Sequence, residues 1–339
     1  MADPLRVMFS VLTGLSVAVA VGGNLFLLLL LILNEELSSD TPGLALSAAL
    51  SDLALALSSA PFAAHNSLWV WEGLDSDGAL CQGGGFLLVA LQWASLHAVA
   101  WLTIHRFAEI CFALKYRRLW TARRSRVALV LLWFCCVVGA ALPLLGYGRY
   151  AYSHGRFLCC PSFTPPHRGF VVLWAASVAT PIVLMCSLYG YIVYVGRKQA
   201  LRGTFMCNET HCFYVPANAY LRSSIVMVTD SVCLLLCWTP YVSVGLYEAF
   251  TGLQTPLWSS ALSTWLVLSS SALNPWINIL TQKRLRAAAQ RLIGRFHPRP
   301  PGISVDPRPQ RPTHCQDSAN HISTRTSAGP LTFSTTTTL

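Results

Sequence analysis

Seven stretches of this chain, residues 7–33, 43–64, 83–104, 127–145, 169–195, 223–247 and 257–280, run almost without a charge. Each is long enough to cross a hydrocarbon layer of about 30 Å at about 1.5 Å per helical residue. Hydrocarbon offers the backbone no water, so such stretches must be helices whose amides bond internally. Composition agrees: 54% of the 339 residues are hydrophobic and 11% charged, where a soluble domain carries about 25% charge. The fold class read from this is an all-α membrane protein, a seven-transmembrane helix bundle.

The cations set its orientation, because basic flanks of membrane helices stay in the cytoplasm. With the amino terminus outside, 20 of the 24 Lys and Arg fall on the cytoplasmic side, and only Arg6, Arg149, Arg156 and Arg168 lie outside. The loop at 34–41 disagrees, with Glu35, Glu36, Asp40 and no cation, although acids weigh little in this rule. The net charge of +10 is thus topological, faces anionic lipid, and makes no case for nucleic acid. Residues 1–6 form a short extracellular terminus, and the run at 7–33 is too long for the apolar core of a cleavable signal. Residues 281–296 space basic and apolar groups as an amphipathic eighth helix on the inner surface. Residues 297–339, rich in Pro, Arg, Ser and Thr, read as a disordered tail.

Polar and imino residues inside the apolar runs carry the next step. Cys237-Trp238-Thr239-Pro240 places a proline within the sixth run, where it frees a carbonyl and bends the helix into a hinge. Asn24 follows Gly23 in the first run, and Asp52 interrupts the second. An intramembrane Asp is costly unless it faces the bundle interior with partners. Arg106 stands 25 residues beyond Cys81, in His105-Arg106-Phe107. Trp133 and Pro143 mark the fourth run, Pro181 and Tyr189 the fifth, and Asn274-Pro275-Trp276-Ile277-Asn278 closes the seventh. In order and spacing these residues resemble the rhodopsin-family (class A) G-protein-coupled receptors across residues 7–296.

The resemblance implies a receptor that answers a stimulus by an outward swing of its sixth helix and engages a heterotrimeric G protein. It implies a disulfide from Cys81 to the second outer loop, where Cys159 and Cys160 both stand and Cys160 is the first choice. It implies a water and sodium pocket of Asp52, Ser95, Ser271 and Asn274, against the plainer reading of Asp52 as a packing residue. The family's ligand position corresponds to Leu88, Gln92, Trp238, Tyr241, Val242, Glu248, Trp265 and Leu268. That set suits a lipid or an uncharged aromatic compound, or is filled by the chain itself. Leu268 replaces the lysine that would hold retinal, and Leu88 replaces the aspartate that would meet an amine, so neither ligand is expected. Ser323, Thr324, Thr326, Ser327 and the threonines to Thr338 suit phosphorylation, which in the family recruits arrestin; a merely solvated tail is the alternative.

The chain departs from the family at its switch, the set His105, Arg106, Phe107, Tyr189, Asp230, Pro240, Asn274, Pro275 and Asn278. The family pairs the arginine with an acidic neighbour and with an acid at the inner end of the sixth helix; here His105 and Tyr220 stand in those places. Asn278 replaces a tyrosine. Asp230, ten residues before Pro240, either pairs with Arg106 as a substitute lock or is protonated and bonded to Asn278. No catalytic spacing or phosphate loop argues for an enzyme. Zinc at Cys207, His211 and Cys212 is disfavoured in a reduced cytoplasmic loop, and Asn208-Glu209-Thr210 lies on the wrong side for glycosylation. The rival class is a transporter or channel, since Asp52 and Asp230 are carboxylates of the kind that mark ion paths, but no inverted repeat divides the seven helices. On this topology an epitope at Met1 is labelled on intact cells and one at Leu339 only after permeabilisation; the reverse pattern would invert the whole arrangement.

Overall fold

Apolar runs become helices here, and their ends follow local chemistry. The computed structural model describes residues 3–34, 42–69, 78–111, 120–202, 205–208, 211–214, 217–281 and 283–296. Helix α1 (Pro4–Leu33) begins with Asp3, whose carboxylate accepts the Leu5 amide at 3.1 Å, and with proline at its first position. The second crossing is α2 (Pro42–Leu57) and α3 (Ser59–Leu68), interrupted at Ser58. The Ser58 hydroxyl donates to the Ala54 carbonyl at 2.6 Å, a back-bond that bends helices. The remaining crossings are α4 (Ala79–Cys111), α5 (Ala122–Ala141), α6 (Arg168–Arg202), α7 (Ala217–Thr251) and α8 (Leu257–Thr281). Pro181, Pro240 and Pro275 lie inside α6, α7 and α8.

Among the described residues, all the crossings but α8 pass as membrane spans on length and apolarity alone. Helix α8 is diluted by hydroxyls, which it returns to its own backbone: Ser263 and Thr264 both donate to the Ser260 carbonyl, and Ser270 to that of Val267. A hydroxyl satisfied in this way can sit in a bundle. Helix α4 is the most enclosed of the spans and α5 the least. Helix α1 packs on α2, α3 and α8, α7 lies between α6 and α8, and α4 meets α2, α5 and α6. The crossings therefore close into a ring in which α4 joins α2 to α6, with α5 packed against α4 and α2.

Contact between α1 and α8 depends on the absence of a side chain. A Cβ on Gly23 would fall 2.8 Å from Pro275 Cγ, whereas one on Gly22 meets nothing within 4 Å. Beside it, the Asn24 amide donates to the carbonyls of Ala20 at 2.9 Å and Ser271 at 3.0 Å, tying α1 to α8. The amphipathic helix α9 (Lys283–Phe296) buries Leu285, Ala288 and Ala289 against Leu27, Leu28 and Leu30 of α1.

Two antiparallel hairpins complete the architecture. Strands β1 (Tyr150–Ser153) and β2 (Leu158–Pro161) lie between α5 and α6, and β3 (Phe205–Asn208) and β4 (His211–Tyr214) between α6 and α7. The second hairpin sets Cys207 opposite Cys212 and Asn208 opposite His211. The phosphorylatable tail, Tyr220's side chain and the acidic loop at 35–40 lie outside the described residues. Because alanine improves an open helical site and spoils a crowded one, Gly22→Ala should hold or raise the melting temperature of the purified protein. Gly23→Ala should lower it, by about 1–3 kcal/mol of stability; equal effects would dismiss the close approach.

Candidate functional site

The second, third and seventh crossings meet at Asp52, which is 1% exposed. Its Oδ1 accepts from the Ser95 hydroxyl at 2.7 Å and its Oδ2 from the Asn274 amide at 2.8 Å, while that amide also reaches Ser95 Oγ at 3.4 Å. Ser271 lines the same small cavity as Asp52. All four residues predicted for the polar pocket are thus together. They line a small cavity with Gln92, Trp238 and Leu268, with room for about one water. The oxygens of Asp52, Ser95 and Ser271 are hard donors that fit a sodium ion. Asn274 points its N–H₂ at the carboxylate and so adds a donor rather than a ligand.

The polar line continues toward the Arg106 end of the bundle. Asn278 donates to the Asn274 carbonyl at 3.0 Å and accepts from Arg106 Nη2 at 2.8 Å. Arg106 on α4 is therefore joined to α8 through a neutral amide. Nearby, His105 packs edge-on against Trp120, Phe107 against Tyr191, and Tyr189 shares a 2.7 Å hydrogen bond with Thr103. Asp230 is on α7, but its side chain lies outside the described residues.

At the opposite end a disulfide carries the β1–β2 hairpin onto the bundle. Cys81 pairs with Cys159, at a Cα separation of 5.3 Å, which corrects the expected pairing with Cys160. The reason is the strand period of two. Cys159 faces Tyr152 and Cys160 faces Ala151 in the register, so the two adjacent thiols point to opposite sides and only one can meet Cys81. Cys160 turns instead to the Tyr241 hydroxyl, and burial pushes its thiol up to about 11, which leaves it inert. Tyr150 anchors the hairpin by donating to the Ala140 carbonyl at 2.8 Å.

The turn of that hairpin enters the space the sequence reserves for a ligand. Arg156, 3% exposed, donates from Nη2 to Glu248 Oε2 at 2.7 Å and from Nη1 to Ser153 at 3.3 Å. Its guanidinium carbon lies 4.4 Å from the Phe163 ring centre and 5.6 Å from that of Tyr241. Phe163, Trp174 and Tyr241 pack edge to face with centroids 5.5 to 6.0 Å apart. Phe163 fits there because Gly245 has no side chain; a Cβ would lie 2.6 Å from the ring. Phe157, held at φ 57°, reaches α1, where its ring packs at a tilt against Phe9 with centroids 4.9 Å apart. Glu248 also accepts from the amide and hydroxyl of Thr255.

The eight residues expected around one ligand are consequently distributed. Gln92, Trp238 and Leu268 border the Asp52 cavity, and Leu88 borders a separate space near Phe62 and Cys159. Tyr241 and Glu248 face Arg156, and Val242 is half-buried against the same core. Trp265 donates to Ser16 of α1 at 3.2 Å. Arg156, Phe163 and Trp174 were missed from sequence. The one available signal was that Arg156 is among the four cations off the basic side.

Comparison with known proteins decides the family. The model of the 7 transmembrane receptor (rhodopsin family) matches residues 23–277. This chain belongs to the rhodopsin family of seven-transmembrane receptors. It is 25% identical to the adenosine receptor A3 of Ovis aries over 296 residues, covering 85% of this chain and 90% of that one. It is also 25% identical to the histamine H2 receptor of Canis lupus familiaris over 301 residues, 86% and 81% of the two chains. The trace amine-associated receptor 6 of Pan troglodytes is 24% identical over 308 residues, 85% and 86%. The protein is a multi-pass membrane receptor that signals through G proteins, and the transporter or channel alternative finds no support. For this receptor, Cys159→Ser should match Cys81→Ser in losing surface expression, since a clamp worth about 2–5 kcal/mol goes. Cys160→Ser should retain it; equal loss in Cys160→Ser would point to the alternative pairing.

Proposed function

We propose that this receptor signals to G proteins without an added ligand, with the disulfide end outside the cell and the Arg106 end facing the cytoplasm. The observation that supports it most is the 2.8 Å bond from Arg106 to Asn278. An amide oxygen is a weaker partner for a guanidinium than a carboxylate, and the residue beside Arg106 is His105. The closed state is correspondingly weakened. Losing roughly 1–3 kcal/mol of preference raises the open population about 5-fold to 150-fold. Pro240 supplies the hinge for α7, and the proposed arrestin partner would bind the phosphorylated tail. A sodium ion held by Asp52, Ser95 and Ser271 would add a positive charge between three crossings and favour the geometry that keeps them together. The ring cluster and Arg156 argue that the outer space is filled by the chain itself.

Basal second-messenger output in transfected cells tests this reading. Wild type should exceed vector controls several-fold, and Arg106→Ala should fall to their level. A silent wild type that becomes active on Asp230→Asn would establish Asp230 as a substitute lock and overturn high basal activity. Vector-level output in all three would remove both ideas. Asp52→Asn should abolish any dependence of the output on external sodium; an unchanged response would return Asp52 to a packing role.

A further inference from the structure

The buried Arg156 is chemically conspicuous because loops seldom insert a cation into an apolar bundle. Everything around it complements a planar cation. Glu248 Oε2 faces one edge at 2.7 Å, and the rings of Phe163 and Tyr241 present their faces at 4.4 and 5.6 Å. A guanidinium is weakly hydrated and stacks on aromatic faces, so it is the cation best able to occupy such a place. The carboxylate is prepared in advance, since Thr255 donates two bonds to the oxygen that Arg156 does not use. The match from the loop's side is less complete. Arg156 Nε is buried without a partner among the described residues, and so is the Trp174 indole N–H in the adjoining ring cluster. The tether fixes where the guanidinium enters and leaves one of its donors unused.

We propose that Glu248, Tyr241 and Phe163 form a guanidinium-binding site, occupied here by the receptor's own Arg156, which accepts an external alkylguanidinium when the loop side chain is absent. The ligand class is therefore a planar cation on a short apolar stem. It differs from the lipid or uncharged aromatic compound expected from the apolar and aromatic character of the set, and gives the role of ligand anchor to Glu248, its one acid. The site also has a mechanical position. Glu248 lies eight residues beyond Pro240 on α7, about 12 Å along the helix. Arg156 lies three residues before the cysteine bonded to Cys81 of α4. Filling the site thus ties that end of α7 to a hairpin that is covalently fixed to α4. The proposal deepens the receptor reading given above, in which the outer space is filled by the chain itself.

The test is chemical rescue with ethylguanidinium. Arg156→Ala leaves Glu248 buried without its cation, so its surface amount should fall at least about 5-fold. Growth in roughly 10 mM ethylguanidinium should restore at least half of it, in keeping with the weak affinity of so small a ligand. Ethylurea, of the same shape but neutral, should restore none. The double variant Arg156→Ala with Glu248→Gln removes both charges, should reach the surface unaided and should ignore the probe. Rescue by ethylurea, a response in the double variant, or no rescue by ethylguanidinium would each overturn the site. Should Arg156→Ala already reach the surface, its melting temperature in detergent decides: a rise with ethylguanidinium alone supports the site and no rise refutes it. None of these readouts requires G-protein coupling. A silent wild type would thus end the basal-signalling reading and leave the guanidinium site standing or falling on its own rescue.

Discussion

A carboxyl group in hydrocarbon must find partners, and Asp52 finds them on two other crossings at once. Ser95 comes from α4 and Asn274 from α8, so the cost of placing an acid in the membrane is offset only when three helices stand in one relative position. Asn24 extends the same logic to α1 through the Ser271 carbonyl. Apolar packing against lipid gives little reason for one helix neighbour over another. Hydrogen bonds of this kind supply the choice, and close approach at Gly23 follows from it.

The bundle is held by different interactions along its length. Its middle is held by Asp52 and its neighbours, and the Arg106 end by contacts to Asn278, Thr103 and Trp120 that involve no carboxylate among the described side chains. The disulfide end is held by a covalent bond and by a buried ion pair. Pro240 lies on α7 between its two ends. A helix gripped by an ion pair near one end and carrying a proline along its length has a point at which it can pivot.

Much of this was legible in the sequence because membrane helices are written in composition and in polar exceptions. The runs predicted all seven crossings, with ends that differ from those of the helices by up to seven residues, and α3 is a separate helix after Ser58. The count from Cys81 located Arg106, and Asp52 was recognisable because an acid among leucines has so few explanations. The ligand space was not legible. Its character depends on a loop folding inward, and nothing in the local pattern of Tyr150 to Phe163 shows that Arg156 ends beside Glu248, 92 residues away. The choice between Cys159 and Cys160 failed for a related reason: it is fixed by strand register, which a sequence leaves open until the partner strand is known.

That register has a consequence for how the chain matures. Two thiols stand side by side on β2, and during oxidation either can attack or be attacked, since exchange through mixed disulfides is how such bonds find their final partners. A bond at Cys160 would advance β2 by one position and turn that strand's side chains to the other face. Arg156 would then lose its place against Glu248, Phe163 and Tyr241. The isomer that seats Arg156 is the one that hides the spare thiol beneath Tyr241. Correct docking of the hairpin therefore acts as its own proofreading step, withdrawing the competing sulfur from further exchange once the right loop is closed.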